Sequence, residues 1–121
     1  MANPAFIHQH VADAYAAQQA SAEGKPISVV FALVGLYLHL EKGYSGREVQ
    51  RAHTRLAGRR KSWPRLPLPN DRGALTVHDV VAATPGPARD QAIEAWCQSA
   101  WNAYCESHEA IADLARSELG V

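Results

Sequence analysis

The sequence predicts an all-α fold, a compact bundle of four long helices and one short helix around a buried central helix. The first observation is the segment 27–40, ISVVFALVGLYLHL, whose apolar side chains cover every side of a helical wheel. A helix that is apolar on all sides is buried in a protein core or in a membrane. This segment is shorter than the roughly 20 apolar residues of a membrane span. We therefore expect a central core helix at about 26–42 and no membrane partner.

The second observation is a series of local signals that start and stop helices. Proline at the first helical position opens the first two helices, and Ser-x-x-Glu-like and Thr-x-x-Asp capping patterns open the third and the fourth. The third observation is that no segment has the period-two pattern of a strand. Three prolines in a short segment predict an extended connector at residues 64–73. The predicted helices span residues 4–19, 26–42, 46–61, 76–83 and 88–119.

The composition is that of an ordinary globular chain, with 47% hydrophobic and 20% charged residues. Its length of 121 residues predicts one domain, residues 1–121. Cys97 and Cys105 fall in one predicted helix, about 12 Å apart along its axis, which is too far for a mutual disulfide. Both are expected to be buried as small hydrophobic residues. Together with an N-terminus that lacks a secretory signal, they predict a reducing, cytoplasmic location.

The last predicted helix carries two apolar stripes. The stripe expected to face the core comprises Ile93, Trp96, Ala100, Tyr104, Ile111 and Leu114. A second, narrower stripe contains Trp101, His108 and Leu119. A continuous helix of this length would extend about 45 Å, further than its neighbours. We therefore expect the second stripe to contact a partner protein, including a second copy of the chain in a homodimer.

Several polar side chains fall on the apolar faces of the first and third helices. On the first helix, His10 lies near the centre of the apolar face, with Asp13 one turn further on. On the third helix, His53 lies on the apolar face. Buried polar groups must find hydrogen-bond partners, so these residues predict contact between the two helices. Arg51 or Trp63 would lie near the rim of such a site. The side chains expected to converge there, below Tyr15, are His8, His10, Asp13, Gln18 and His53.

Three interpretations of this cluster remain open: a structural hydrogen-bond network, a small-molecule or catalytic pocket, and a metal site. Histidine and carboxylate side chains on bundle helices are common metal ligands. However, the sequence has neither two histidines four residues apart nor a Glu-x-x-His motif. No cofactor is therefore indicated, and the hydrogen-bond network is favoured. A metal site would use His8, His10, Asp13 and His53.

The third helix also carries an arginine stripe, formed by Arg47, Arg51, Arg55 and Arg59. Residues 47–72 contain eight basic and two acidic residues, whereas residues 73–121 contain seven acidic and two basic residues. Such a stripe can follow nucleic-acid phosphates, with Trp63 stacking on a base. Such a stripe is more often solvated, or paired with acids such as Glu94 and Glu109. No nucleic-acid-reading motif is present, so nucleic acid is the weaker alternative.

The sequence contains no motif that assigns a catalytic activity. It has no glycine-rich phosphate loop, no CxxC pair and no Ser-His-Asp order. We therefore expect a small, non-catalytic helical protein that acts through protein contacts. A ligand-binding or enzymatic pocket in the histidine cluster is the first alternative, and nucleic-acid binding by the arginine stripe is the second.

Five short motifs along the chain form a set: DAYAAQ at 13–18, FALVGLYLHLEKG at 31–43, QRAH at 50–53, WP at 63–64 and TVHDV at 76–80. This set resembles a small bacterial family of unknown function. The resemblance covers nearly the whole chain and implies a helical cytoplasmic protein, without implying an activity. The positions that match the polar and aromatic pattern of the family are His8, Asp13, Tyr15, Gln18, His53 and Trp63.

Overall fold

The computed structural model describes the backbone of residues 4–59 and 62–121, and their side chains from residue 9 onward. These ranges contain six α-helices and no strand, which confirms the all-α prediction. A short 3-10 helix at Cys105–Ser107 separates the last two α-helices. The α-helices are α1 (Pro4–Gln19), α2 (Pro26–Lys42), α3 (Gly46–Arg59), α4 (Val77–Ala82), α5 (Pro87–Ala103) and α6 (His108–Leu119).

Helix α2 lies at the centre of the bundle, where it packs against α1, α3, α5 and α6. Its residues Leu33, Val34 and Leu36 have no exposed surface, and Phe31 is partly buried. Gly43 ends the helix with a φ of 73°, in the left-handed conformation that glycine adopts at low cost. The predicted central helix is confirmed. None of the described helices has the length and the apolar run that crossing a bilayer requires.

Reciprocal capping interactions begin the third and fourth helices, as the sequence predicts. The Glu48 amide donates to Ser45 Oγ at 3.2 Å, and the Ser45 amide donates to the Glu48 carboxylate at 3.0 Å. Thr76 and Asp79 form the same kind of pair ahead of α4. These contacts satisfy amide groups that the start of a helix leaves without partners. The predicted end of the third helix, at 60–61, lies outside the described residues.

The last predicted helix is interrupted, so the expectation of one continuous helix over 88–119 is wrong. In a regular helix the Trp101 carbonyl would accept from the amide four residues further on. Here the Tyr104 amide donates to that carbonyl at 3.0 Å, and His108 Nε2 donates to it at 2.7 Å. The Tyr104 hydroxyl in turn donates to the Ala17 carbonyl of α1 at 2.5 Å. The chain bends at Tyr104 because a side chain and a nearer amide satisfy the Trp101 carbonyl.

The second apolar stripe of the last predicted helix lies in the interior. Trp101 and Leu119 are 2% and 6% exposed. The partly buried His108 ring stacks on Trp101, with the ring centroids 3.8 Å apart. These side chains contact the rest of the chain, so the stripe is not available as the homodimer contact that the sequence predicts.

The two cysteines differ in their surroundings. Cys97 is buried in the core, as expected for a small hydrophobic residue, whereas Cys105 is exposed in the 3-10 helix. The expectation that Cys105 is buried is therefore wrong. Both cysteines are free thiols.

Hydrogen bonds tie the connector between α3 and α4 to the end of α1. The Gln18 amide nitrogen donates to the Arg72 and Leu75 carbonyls at 3.0 and 2.6 Å. The Gln18 side-chain oxygen accepts from the Trp96 indole at 2.7 Å. The Arg72 guanidinium donates to the Gln18 and Ala20 carbonyls at 3.2 and 2.8 Å. Arg72 thus caps the end of α1, where a helix leaves its carbonyls without amide partners.

Replacing Arg72 by alanine should lower the free energy of unfolding by about 2 kcal/mol, because partly buried carbonyls lose a charged donor. Arg116→Ala is the matched control, since Arg116 is exposed and pairs with Asp113 on its own helix. Exposed ion pairs of this kind contribute less than about 1 kcal/mol. Urea denaturation followed by tryptophan fluorescence measures both variants. Equal losses in the two variants would contradict the capping role of Arg72.

Candidate functional site

A chain of polar groups connects the first three helices. The Gln9 amide nitrogen donates to Asp13 Oδ1 at 3.0 Å and lies 3.5 Å from His53 Nδ1. His53 Nε2 lies 2.8 Å from the Phe31 carbonyl of α2. A carbonyl only accepts, so Nε2 carries the proton and Nδ1 can accept from Gln9. Burial lowers the pKa of His53 below its usual value, in keeping with a neutral ring.

The Asp13 carboxyl group occupies space that exists because residue 35 is glycine. A Cβ added to Gly35 would lie 2.6 Å from Asp13 Cγ and still closer to Oδ2. Asp13 is 5% exposed, and its Oδ2 has no hydrogen-bond partner among the described residues. Burial raises the pKa of Asp13 to about 8, against the opposing effect of the hydrogen bond from Gln9. The carboxyl group therefore keeps its proton in this site near neutral pH.

A second cluster of polar side chains lies where α1 and α5 meet the end of α2. The rings of His10 and His39 are stacked, with centroids 3.6 Å apart. His39 Nδ1 lies 2.9 Å from the Tyr44 carbonyl, and its Nε2 lies 2.5 Å from Glu94 Oε1. The His39 ring thus bonds to the segment that follows α2 and to a side chain of α5.

The groups beside this pair are uncharged near neutral pH. Burial, followed by the nearby charge of His39, lowers the pKa of His10 to about 4. His10 is 5% exposed, and its Nδ1 has no hydrogen-bond partner among the described residues. The Cys97 thiol donates to the His10 carbonyl at 3.7 Å, and burial raises its pKa to about 12. The interior therefore holds a neutral imidazole and a protonated thiol.

The structure brings together some of the residues that the sequence singled out, and separates others. Asp13 and His53 share one network through Gln9, whereas Gln18 bonds to the connector and to Trp96 instead. Tyr15 is 49% exposed. The Trp63 and Phe31 rings form a T-shaped contact, with their centroids 5.1 Å apart. Phe31 in turn stacks on the His53 ring, with a centroid distance of 5.2 Å. The side chain of His8 lies outside the described residues.

The arrangement is chemically suited to joining helices. The described residues contain no group of three or more His, Cys, Asp or Glu side chains that could hold one metal ion. His10 and Asp13 are almost fully buried, so a molecule in solvent would reach them only after α1 moves away from α2. The hydrogen-bond network is therefore the interpretation that the geometry favours.

Sequence reasoning missed three of the residues in these contacts. Gln9 has no distinguishing pattern, and only the fold shows that it bridges Asp13 and His53. Glu94 was considered as a partner for the arginine stripe, but it pairs with His39. A signal for His39 did exist, because it lies in the last turn of the central apolar helix, where a side chain must meet a neighbouring element.

Gly35→Ala should lower the free energy of unfolding by about 2 kcal/mol, because the new methyl group would displace the Asp13 carboxyl group. Gly58→Ala is the matched control: a Cβ there meets nothing within 4 Å. Alanine is favoured over glycine in a helix by up to about 1 kcal/mol, so the control should be stabilised. Adding Asp13→Ala to Gly35→Ala should recover part of the loss. Denaturant unfolding of the two single variants and the double variant measures the free energies. If the two losses simply add in the double variant, direct contact between residues 13 and 35 is contradicted.

Asp13 should make the protein less stable as the pH rises from 6.5 to 8. The unfolded chain has lost this proton above about pH 4, whereas folded Asp13 keeps it up to about pH 8. Unfolding therefore releases a proton, and the free energy of unfolding falls with rising pH. His10 acts in the opposite direction, but only between its pKa values of about 4 when folded and 6.5 when unfolded. Above pH 6.5 His10 is neutral in both states, so the destabilising effect of Asp13 on the folded protein remains.

The expected fall between pH 6.5 and 8 is about 1–2 kcal/mol. Asp13→Asn removes the titrating group and should flatten this part of the profile, which urea denaturation at several pH values measures. Parallel profiles for the variant and the natural sequence would contradict a raised pKa at Asp13.

Comparison with known proteins confirms the resemblance seen in the sequence. No curated protein and no solved structure matches the chain. A family model described as "Family of unknown function (DUF5946)" matches residues 1–105. This match covers most of the chain, including α1 to α5 and the polar network between the first three helices. The chain therefore belongs to the DUF5946 family.

Proposed function

We propose that this protein is a non-catalytic interaction protein that binds an acidic protein surface through the arginine stripe of α3. The observation that carries the proposal is the position of the stripe, because all four arginine side chains are exposed on one helix. The opposite side of α3 is buried through Val49, Ala52 and Leu56. Contacts within the core thus hold α3 in place while its arginines face solvent.

Acids of the same chain lie near two of the arginines of the stripe. Arg59 lies 3.4 Å from Glu118 of α6, and the Glu48 carboxylate lies near Arg51. Glu94, an expected partner of the stripe, is paired with His39. Arginine presents donors that match a carboxylate in a two-point contact. An acidic protein surface is therefore a suitable partner for the exposed guanidinium groups of the stripe.

Two observations favour this proposal over the alternatives. A nucleic-acid site of the expected kind would use Trp63 to stack on a base, but the Trp63 ring is partly buried against Phe31. A catalytic site in the histidine cluster would need access from solvent, but His10 and Asp13 are each 5% exposed. The arginine stripe is already accessible.

Two broader features fit the same proposal. Helices α1, α3, α5 and α6 all pack on α2, which supports treating residues 1–121 as one domain. The free thiols of Cys97 and Cys105 are compatible with a reducing cytoplasm, where we place the protein.

Binding of a fluorescent polyglutamate peptide at low salt tests the proposal. The double variant Arg51→Glu, Arg55→Glu should weaken this binding by about tenfold or more, because two charge-assisted contacts become repulsive. Arg116→Glu is the matched control, since Arg116 is an exposed arginine on α6. Its effect should be smaller than that of the double variant.

Two further measurements separate the possible partners. Tighter binding of a single-stranded oligonucleotide than of polyglutamate would overturn the proposal in favour of nucleic acid. Light scattering tests self-association: a dimer that dissociates in the double variant would identify a second copy as the acidic partner. A monomer that binds neither probe would refute a role of the stripe in recognition.

A further inference from the structure

A groove of about 440 Å³ lies between the turn that joins α1 to α2 and the proline-containing connector. Its volume is within the range of about 300–1,000 Å³ that is usual for small-molecule sites. Small side chains in the turn leave this space open opposite two leucines of the connector. The residues that matter for its chemistry are Ala22, Lys25, Val29, Arg65, Leu66 and Leu68.

The groove is lined mainly by apolar side chains, together with two basic ones. Val29, Leu66 and Leu68 provide hydrophobic walls, and each of them is at least partly buried. The only ionisable side chains among the described residues that line the groove are Lys25 and Arg65, and both are cationic. Glu23 belongs to the same turn but does not line the groove. The charges therefore favour an anion over a neutral or cationic group.

Arg65 is held in position by the turn that it faces. Its Nη1 donates to the Ala22 carbonyl at 3.0 Å and to the Gly24 carbonyl at 3.4 Å. The other guanidinium nitrogens form no hydrogen bond with the described residues, so they can donate to a bound anion. The Lys25 side chain is exposed beside them. A hydrogen-bonded guanidinium and an exposed ammonium group thus lie beside the apolar walls.

We propose that this groove binds a small amphiphile with one anionic head group and one short, unbranched alkyl tail. The head group contacts Lys25 and Arg65, and the tail lies against Val29, Leu66 and Leu68. An alkyl chain suits a groove with aliphatic walls, and its removal from water provides most of the affinity. The site is separate from the arginine stripe on α3, so the two proposals stand or fall independently.

The experiment is a titration of the full chain with decanoate, below its micelle concentration, followed by methyl NMR. The methyl signals of Val29, Leu66 and Leu68 should shift together. Decanol and decyltrimethylammonium have the same tail with a neutral or cationic head, and both should bind more weakly than decanoate. Decyl phosphate distinguishes the head groups: stronger binding than decanoate identifies a phosphate ligand, and weaker binding a carboxylate ligand.

Lys25→Gln should weaken decanoate binding by about fivefold, as expected for one exposed charge contact. Lys42→Gln, which removes an exposed lysine at the other end of α2, is the matched control and should bind normally. Ala22→Leu places a larger side chain in the groove and should weaken binding of every ligand. The proposal is overturned if decanol binds as well as decanoate, or if Lys25→Gln behaves like its control. Shifts elsewhere, or none at millimolar decanoate, would also overturn it.

Discussion

The close approach of Asp13 to Gly35 is the contact on which the arrangement of the first three helices depends. The carboxyl group fills the space that a side chain at Gly35 would need, so α1 lies directly against the backbone of α2. Gln9, held by Asp13, then reaches His53 of α3, and His53 donates to the Phe31 carbonyl of α2. One glycine thus allows a polar connection among three helices inside an otherwise apolar core.

This connection explains why the core contains histidine and carboxyl side chains, which are also common in active sites. An uncompensated charge there would be costly, and burial shifts the pKa values of Asp13 and His10 towards their neutral forms. The contact between His39 and Glu94 lies nearer the surface, where the Glu94 side chain is 55% exposed. The buried polar groups join helices, whereas the basic side chains of the arginine stripe and of the groove are exposed.

Much of the fold could be predicted because its determinants are local. Prolines, capping pairs and Gly43 act within a few residues, and the helices start where these signals predict. The site could be predicted only in part. The positions of Asp13 and His53 on helix faces indicate that each is buried, but not which neighbour each one meets. Gln18 shows the difference, because it lies on the same helix as Asp13 yet bonds to the connector.

The sequence by itself determined the all-α class, the central helix and the capped helix starts, because each follows from neighbouring residues. The tertiary structure alone decided that the last helix bends at Tyr104. That bend depends on His108 bonding to the Trp101 carbonyl and on the Tyr104 hydroxyl bonding to Ala17, a residue on α1. Periodicity cannot reveal such a contact, because it reports which side of a helix is apolar and not which distant group competes for its backbone carbonyls.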